Sequence, residues 1–260
     1  MDLQLSGKRA IVTGGSRGIG LAVATALVAE GARVAVIARN PDTLAAAAAG
    51  IGAEPFAADT GSDDSVRAMV ENVVERFGGV DVLVNAAARP ASAGMQVAAS
   101  ATPDELVRAE FEIKVLGYLR CARAVAPHMT AQGWGRIVNI SGLNARRSGS
   151  LVGSVRNVAV ASMTSALAAE LGPQGVNVTV VHPGITVTEK TPATVAAMAA
   201  AQDITEDEAT AALTAGTTIG RLVTAAEVAD VVTFLCSPRS VAVNGDAVAV
   251  GGGTPGVTYY

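Results

Sequence analysis

Arg9-Ala-Ile-Val-Thr13 runs directly into Thr13-Gly-Gly-Ser-Arg-Gly-Ile-Gly20, and the reading of this stretch decides the fold. The first five residues form a short apolar run, as expected of a strand buried on both faces. The glycines follow where a chain must turn sharply and let its backbone approach a ligand closely. An apolar helical run then continues through Ala29 and stops at Gly31. Strand, glycine turn and helix in this order point free helix N–H groups at an anion, as in a dinucleotide pyrophosphate site. A glycine-rich loop alone is weak evidence; one with the right strand before it and the right helix after it is strong.

Outward from this loop, strand-like and helix-like runs alternate. Arg33–Ile37, Asp81–Val84, Arg136–Ile140, Asn177–Val181 and Ala247–Val250 read as strands. The clearest helices are 62–77, 103–131, 154–171 and 225–236. Thr102 or Asp104 offers a cap for the long one, with Pro103 in its first turn. This alternation predicts an α/β fold: one Rossmann-type doubly wound domain over residues 1–260, a parallel seven-stranded sheet with helices on both faces. Residues 188–218 differ, being rich in Ala and Thr, with a capping box at Thr205-Glu-Asp-Glu208. They follow the sixth strand, where a doubly wound sheet places its ligand crevice, and read as a lid over substrate or a plain helical insert.

Composition narrows the function. Half of the 260 residues are apolar and 16% are charged, a globular balance. The net charge is −4, with no basic cluster longer than Arg146-Arg147, which argues against nucleic acid as a partner. No apolar run reads as long enough to span a membrane, and MDLQLSGKRA has no signal-peptide core. Cys121 and Cys236 give neither a disulfide framework nor a metal spacing, and no metal site is expected. The expectation is a cytoplasmic protein acting on a small molecule.

The second strand ends Ala38-Arg39-Asn40. A carboxylate here would bind the ribose 2′-hydroxyl of NAD. Ala38 lacks it, while Arg39 and Arg17 supply two cations for a 2′-phosphate, so NADP(H) is favoured over NAD(H).

Further segments match one family. Thr13–Gly20, Asn85-Ala86-Ala87-Ala88, Arg136–Ser141, Pro183-Gly184 with Thr188, and Gly220-Arg221 with Gly251-Gly252 resemble, over nearly the whole chain, a short-chain dehydrogenase/reductase. The resemblance implies hydride transfer between a nicotinamide and a carbonyl or alcohol. It implies a cofactor site from Gly14, Ser16, Arg17, Gly18, Ile19 and Gly20, with Arg39 at the ribose. Asp59 would meet adenine, Asn85, Ala86 and Ala87 the adenosine side, and Pro183, Gly184 and Thr188 the nicotinamide. It also implies a homodimer or homotetramer paired through the fourth and fifth helices, whose Ala, Val and Leu suit such packing.

The resemblance fails at the proton-transfer residues. The family uses Asn, Ser, Tyr and Lys, and this chain has no Tyr-x-x-x-Lys. Its only lysines are Lys8, Lys114 and Lys190; its only tyrosines are Tyr118, Tyr259 and Tyr260. Aligned back from Ala168-Ala-Glu-Leu171, the Tyr position falls on Gly153 and the Lys position on Asn157. The Asn position falls on Lys114. The Ser position is Ser141 or, if the second of a pair is meant, Gly142. Lys114, Ser141 and Asn157 are therefore the candidate catalytic residues. A Lys in a closed, low-dielectric site has a lowered pKa and can serve as an acid; its other reading is a salt bridge or a solvated head. Tyr118, one turn on, is a second donor candidate or core. Arg146, Arg147 and Arg156 read as substrate-anion contacts or surface residues, and His182 as a cofactor-edge group or core. Tyr259 and Tyr260 offer a tyrosine from a neighbouring copy. The expected function is an oxidoreductase with a non-standard proton donor, because the nicotinamide-side segment from Pro183 to Thr188 is kept; the alternatives are a lyase or isomerase on the same scaffold and a non-catalytic NADP- or metabolite-binding protein.

Overall fold

The structure, a computed structural model, describes residues 1–88, 98–147 and 150–256. Strands β1 (Arg9–Thr13), β2 (Arg33–Ala38), β3 (Glu54–Ala57), β4 (Val82–Asn85), β5 (Gly135–Ile140), β6 (Val176–Pro183) and a last strand, Ala247–Val250, form one parallel sheet. Its order is β3-β2-β1-β4-β5-β6 and then Ala247–Val250. The order reverses between β1 and β4, so a crevice opens above their carboxyl ends. The glycine loop leaves β1 at this point and Ala86–Ala88 leave β4 beside it.

Side chains alternate along each strand, so neighbours enter opposite layers. Val12, Val36, Val84 and Val138 pack with Val23 and Leu27 of α1 (Gly18–Ala29). Ile11, Ile37, Leu83 and Ile137 face the other way, toward α3 (Asp63–Phe77). Helix α2 (Pro41–Ile51), opened by Asn40, whose side chain accepts from the Thr43 amide, packs in the layer of α1 through Leu44 and Ala48.

The long helix of the sequence reading is not continuous. It divides into α4 (Asp104–Glu110), a π-helical turn over Phe111–Leu116 and α5 (Gly117–Ala131). Neither Thr102 nor Asp104 caps it: Pro103 holds the cap position and the Thr102 hydroxyl donates to the Ala98 carbonyl. Helix α6 (Leu151–Leu171) starts three residues before its expected position, because the Ser150 side chain caps it by accepting from the Gly153 amide. Leu151–Gln174 is also long and apolar enough to cross a membrane, which corrects the expectation that no such run exists. In the fold this helix packs on β6 and carries buried Asn157 and Thr164, the marks of a core helix.

Beyond β6, a short ladder pairs β7 (Thr186–Val187) with β8 (Val223–Thr224). Between them stand α7 (Thr191–Gln202) and α8 (Glu206–Thr214). The Thr205–Glu208 capping box is present at the start of α8. Thr224 and Glu227 form a second one opening α9 (Ala225–Cys236). The final sheet strand is β9. Cys121 and Cys236 are buried free thiols in α5 and α9.

Candidate active site

A cleft of about 1360 Å³ lies above the switch point. Its floor begins at Thr13. The Thr13 hydroxyl accepts from the amides of Ala86 and Ala87, at 3.1 and 3.2 Å, and so ties the end of β1 to the end of β4. The loop fits a closely held diphosphate. A Cβ on Gly20 would stand 2.3 Å from the Gly14 carbonyl oxygen, and one on Gly14 2.8 Å from that of Ala86. Only glycine allows this loop to close down on itself and keep the amides of α1 open to the cleft.

Most of the expected cofactor positions meet here. Gly14, Ser16, Arg17, Gly18, Ile19 and Gly20 line one wall, and Arg39 and Asp59 the end beyond it. Ala86 and Ala87 form the floor; Pro183, Gly184 and Thr188 close the far end. Arg17 and Arg39, separated by 22 positions in sequence, border the same cavity. Asn85 is the correction. It is fully buried beneath the floor, donating from Nδ2 to Asn139 Oδ1 at 3.0 Å and to the Tyr118 carbonyl. Asn139 in turn donates to Thr164 Oγ1. This buried ladder joins β4, β5 and α6 and makes Asn85 a scaffold residue.

The three catalytic candidates form one connected cluster. Lys114 lies in the π-helical turn, is 5% exposed and lines the cleft. Its Nζ donates to the Ser141 carbonyl at 2.8 Å. Burial lowers its pKa to about 8, because a charged ammonium loses its hydration there. The Ser141 hydroxyl spends its proton on the Asn157 carbonyl at 3.0 Å. The Asn157 side chain donates to the Gly142 carbonyl at 3.4 Å, while its buried Oδ1 has no partner. A Cβ on Gly142 would meet Asn157 Nδ2 at 2.9 Å. A serine at 142 and this asparagine at 157 therefore compete for one space. At Gly153, the expected tyrosine position, a Cβ would meet Asn144 Nδ2 at 3.0 Å.

Other candidates resolve differently. Tyr118 is core: its hydroxyl donates to the Ile140 carbonyl at 3.0 Å, and burial raises its pKa, so it is no proton donor near neutrality. Arg156 is neither a surface residue nor a free anion anchor, since it pairs with buried Glu110. Arg146 donates to the Ala247 carbonyl, and Arg147, on the cleft wall, to Thr254. His182 is buried outside the cleft lining, with Nδ1 unpartnered. Burial, with Arg146 and Lys114 nearby, lowers its pKa to about 4 and keeps it neutral. Tyr259 and Tyr260 lie outside the described residues.

Two residues escaped the sequence reading. Glu110 has a weak signal, lying one turn before Lys114. Glu189 has none beyond following Thr188, yet its carboxylate accepts from the Gly18 amide.

The switch-point crevice and the glycine loop define a protein of the Rossmann-type doubly wound class. The model of the family described as enoyl-(acyl carrier protein) reductase matches residues 14–255. The short-chain reductase protein NovJ of Streptomyces niveus is 36% identical over 252 residues, 95% of this chain and 93% of that protein. Among solved structures, L-sorbose reductase from Gluconobacter frateurii, complexed with NADPH and L-sorbose, superposes with a TM-score of 0.90 at 29% identity. It covers 99% of this chain and 100% of its own. A protein described as ribose-5-phosphate isomerase from Brucella melitensis superposes with a TM-score of 0.84 at 31% identity, covering 94% of this chain and 91% of its own. The chain belongs to the short-chain dehydrogenase/reductase family and is an oxidoreductase.

Proposed function

We propose that this oxidoreductase uses NADP(H) to interconvert a small-molecule carbonyl and its alcohol, with Lys114 as the proton donor in place of the family's tyrosine. The observation that carries this reading is the buried Lys114 ammonium, fixed 2.8 Å from the Ser141 carbonyl in the wall of the cleft. When bound, the nicotinamide cofactor supplies or accepts the hydride. Gly14 to Gly20 would hold its diphosphate, Arg17 and Arg39 its 2′-phosphate, and Pro183, Gly184 and Thr188 its nicotinamide end.

The rest falls to this chain's own groups. Lys114 presents an N–H to the substrate oxygen and gives up a proton as negative charge develops there. A lowered pKa makes that transfer easier near neutral pH. The unpartnered Asn157 Oδ1 accepts a hydroxyl of the bound ligand. Ser141 orients the cluster through its backbone carbonyl, because its hydroxyl proton is already engaged. Residues 188–218 form a lid, with Leu213 and Thr217 on the cleft wall to exclude water. Leu151, Val155 and Val158, exposed on the outer face of α6, support assembly as a homodimer or homotetramer.

The test is a screen of ketones, aldehydes and alcohols with NADPH and NADP, on wild type and on Lys114→Ala. Turnover lost in the variant while cofactor binding persists supports the reading. Conversion of a substrate without change in cofactor redox state would favour the second reading, an isomerase, which the Brucella likeness supports.

A further inference from the structure

Two cations in the cleft wall have no counter-charge among the described residues. Buried Lys114 spends one N–H on the Ser141 carbonyl at 2.8 Å. An ammonium has three donors, so two remain. Arg147 spends Nη2 on Thr254 Oγ1 at 2.9 Å. Glu110, one turn before Lys114, is taken by Arg156. The two carboxylates that line the cleft are engaged elsewhere: Glu189 accepts from the Gly18 amide and Asp59 from the Gly61 amide. Residues 89–97, 148–149 and 257–260 contain no Asp or Glu. A buried charge without a counter-ion is costly, and a ligand of opposite charge relieves that cost.

The two cations share one neighbourhood. The Arg147 carbonyl accepts from the Ser154 hydroxyl at 2.5 Å, in the first turn of α6. One turn on, the Asn157 carbonyl accepts from the Ser141 hydroxyl, and the Ser141 carbonyl accepts from Lys114. Cofactor phosphates do not supply the missing charge, since on the reading above they fall at the glycine loop and at Arg17 and Arg39. Oxidised nicotinamide adds a further positive charge.

We propose that the substrate is a 2-oxo acid or the matching 2-hydroxy acid, its carboxylate held between Lys114 and Arg147. This rests on the oxidoreductase reading above and names its substrate class. In a 2-oxo acid the reacting oxygen and one carboxylate oxygen can lie side by side, so the two spare Lys114 donors meet both. Arg147 holds the carboxylate from the other side with its planar fork. In reduction the carbonyl carbon gains a hydride from NADPH, which leaves as NADP⁺. The C=O π pair moves to oxygen, and that oxygen takes a proton from Lys114. Oxidation of the hydroxy acid reverses each step. Arg147 is then the residue that selects acids over neutral carbonyls.

The experiment has two readouts, both with NADPH present. One is turnover of pyruvate and benzoylformate, each against its methyl ester, by wild type, Arg147→Gln and Arg147→Lys. The other is calorimetric binding of oxamate, an isostere of a 2-oxo acid that takes no hydride. Arg147 is exposed, so its replacement leaves the core intact. Wild type should prefer the acids to the esters by about 10–100-fold, the scale of one charge-assisted contact. The preference should be lost in Arg147→Gln and largely regained in Arg147→Lys. Oxamate should bind wild type, and about 10–100-fold more weakly to Arg147→Gln. Esters turned over as well as acids by wild type would overturn the substrate class and leave the oxidoreductase reading standing. Oxamate binding without turnover of any carbonyl would sustain the carboxylate seat and overturn Lys114 as the proton donor. Absence of oxamate binding would overturn the proposal, and a preference for acids that survives Arg147→Gln would overturn the role of Arg147.

Discussion

Lys114 occupies a position where the family resemblance places an asparagine, and the consequences are chemical as well as steric. Removing one general acid costs about 10²–10⁴ in rate, so Lys114→Ala should lose that much turnover while NADPH binding, read by fluorescence, persists. The ammonium must be charged to donate. With its pKa at about 8, the reductive rate should fall about tenfold per pH unit above that value, and the oxidative rate should rise toward it. Glu110 already neutralises Arg156 nearby, so Arg156→Gln should move this limb upward by exposing Lys114 to an unpaired carboxylate. Gly142 and Asn157 make a second residue-scale test. Gly142→Ser should destabilise by about 1–3 kcal/mol through overpacking against Asn157, and the cost should largely vanish in an Asn157→Ala background. Urea denaturation of the four proteins reads this directly. His182 supplies a stability signature. Its folded pKa of about 4 lies below its unfolded 6.5, so the unfolded chain binds the extra proton first. Its contribution is whole above pH 6.5 and is lost as pH falls toward 4; a His182→Leu protein should show a flatter melting-temperature profile across that window.

At the scale of elements, six of the seven sheet strands and the Thr205 cap were legible; β3, the other caps and the break in the helix that holds Lys114 were not. β1, β2 and β5 announce themselves as apolar runs bounded by turns, and the Thr205 capping box was readable as four letters. Thr224→Ala should cost about 1 kcal/mol, because Thr224 and Glu227 satisfy each other's backbone amides at the start of α9. The π-helical turn left no such signal, since its apolar spacing reads as α-helix. It sets where Lys114 points, and π-turns inside helices are frequent at functional sites. The fate of Asn85 was equally hidden. Its partner Asn139 lies 54 positions away in sequence and Thr164, to which Asn139 donates, 79 away, and only the pairing of β4 with β5 and the seating of α6 bring them together. Arg156 illustrates the same limit: nothing near it in sequence announces Glu110, 46 residues earlier.

At the scale of the whole molecule, the parallel doubly wound sheet was implied by βαβ alternation, and the strand order found in the structure fixes where the glycine loop, Arg39 and Pro183 converge. Arg17 and Arg39 border the same cleft, which predicts a cofactor preference. Wild type should bind NADPH at least about tenfold more tightly than NADH, and Arg17→Ala/Arg39→Ala should erase the difference by weakening NADPH alone. On the proposed reading, the site keeps a dinucleotide cleft and a single buried lysine, Lys114, takes over the proton transfer of the family's Tyr and Lys. The most direct measurement is NADPH consumption across a carbonyl panel between pH 6 and 10, for wild type and Lys114→Ala. The account predicts turnover by wild type that declines above about pH 8 and is reduced about 10²–10⁴-fold in the variant. Undiminished turnover in Lys114→Ala, or none by wild type with NADPH bound, would contradict it.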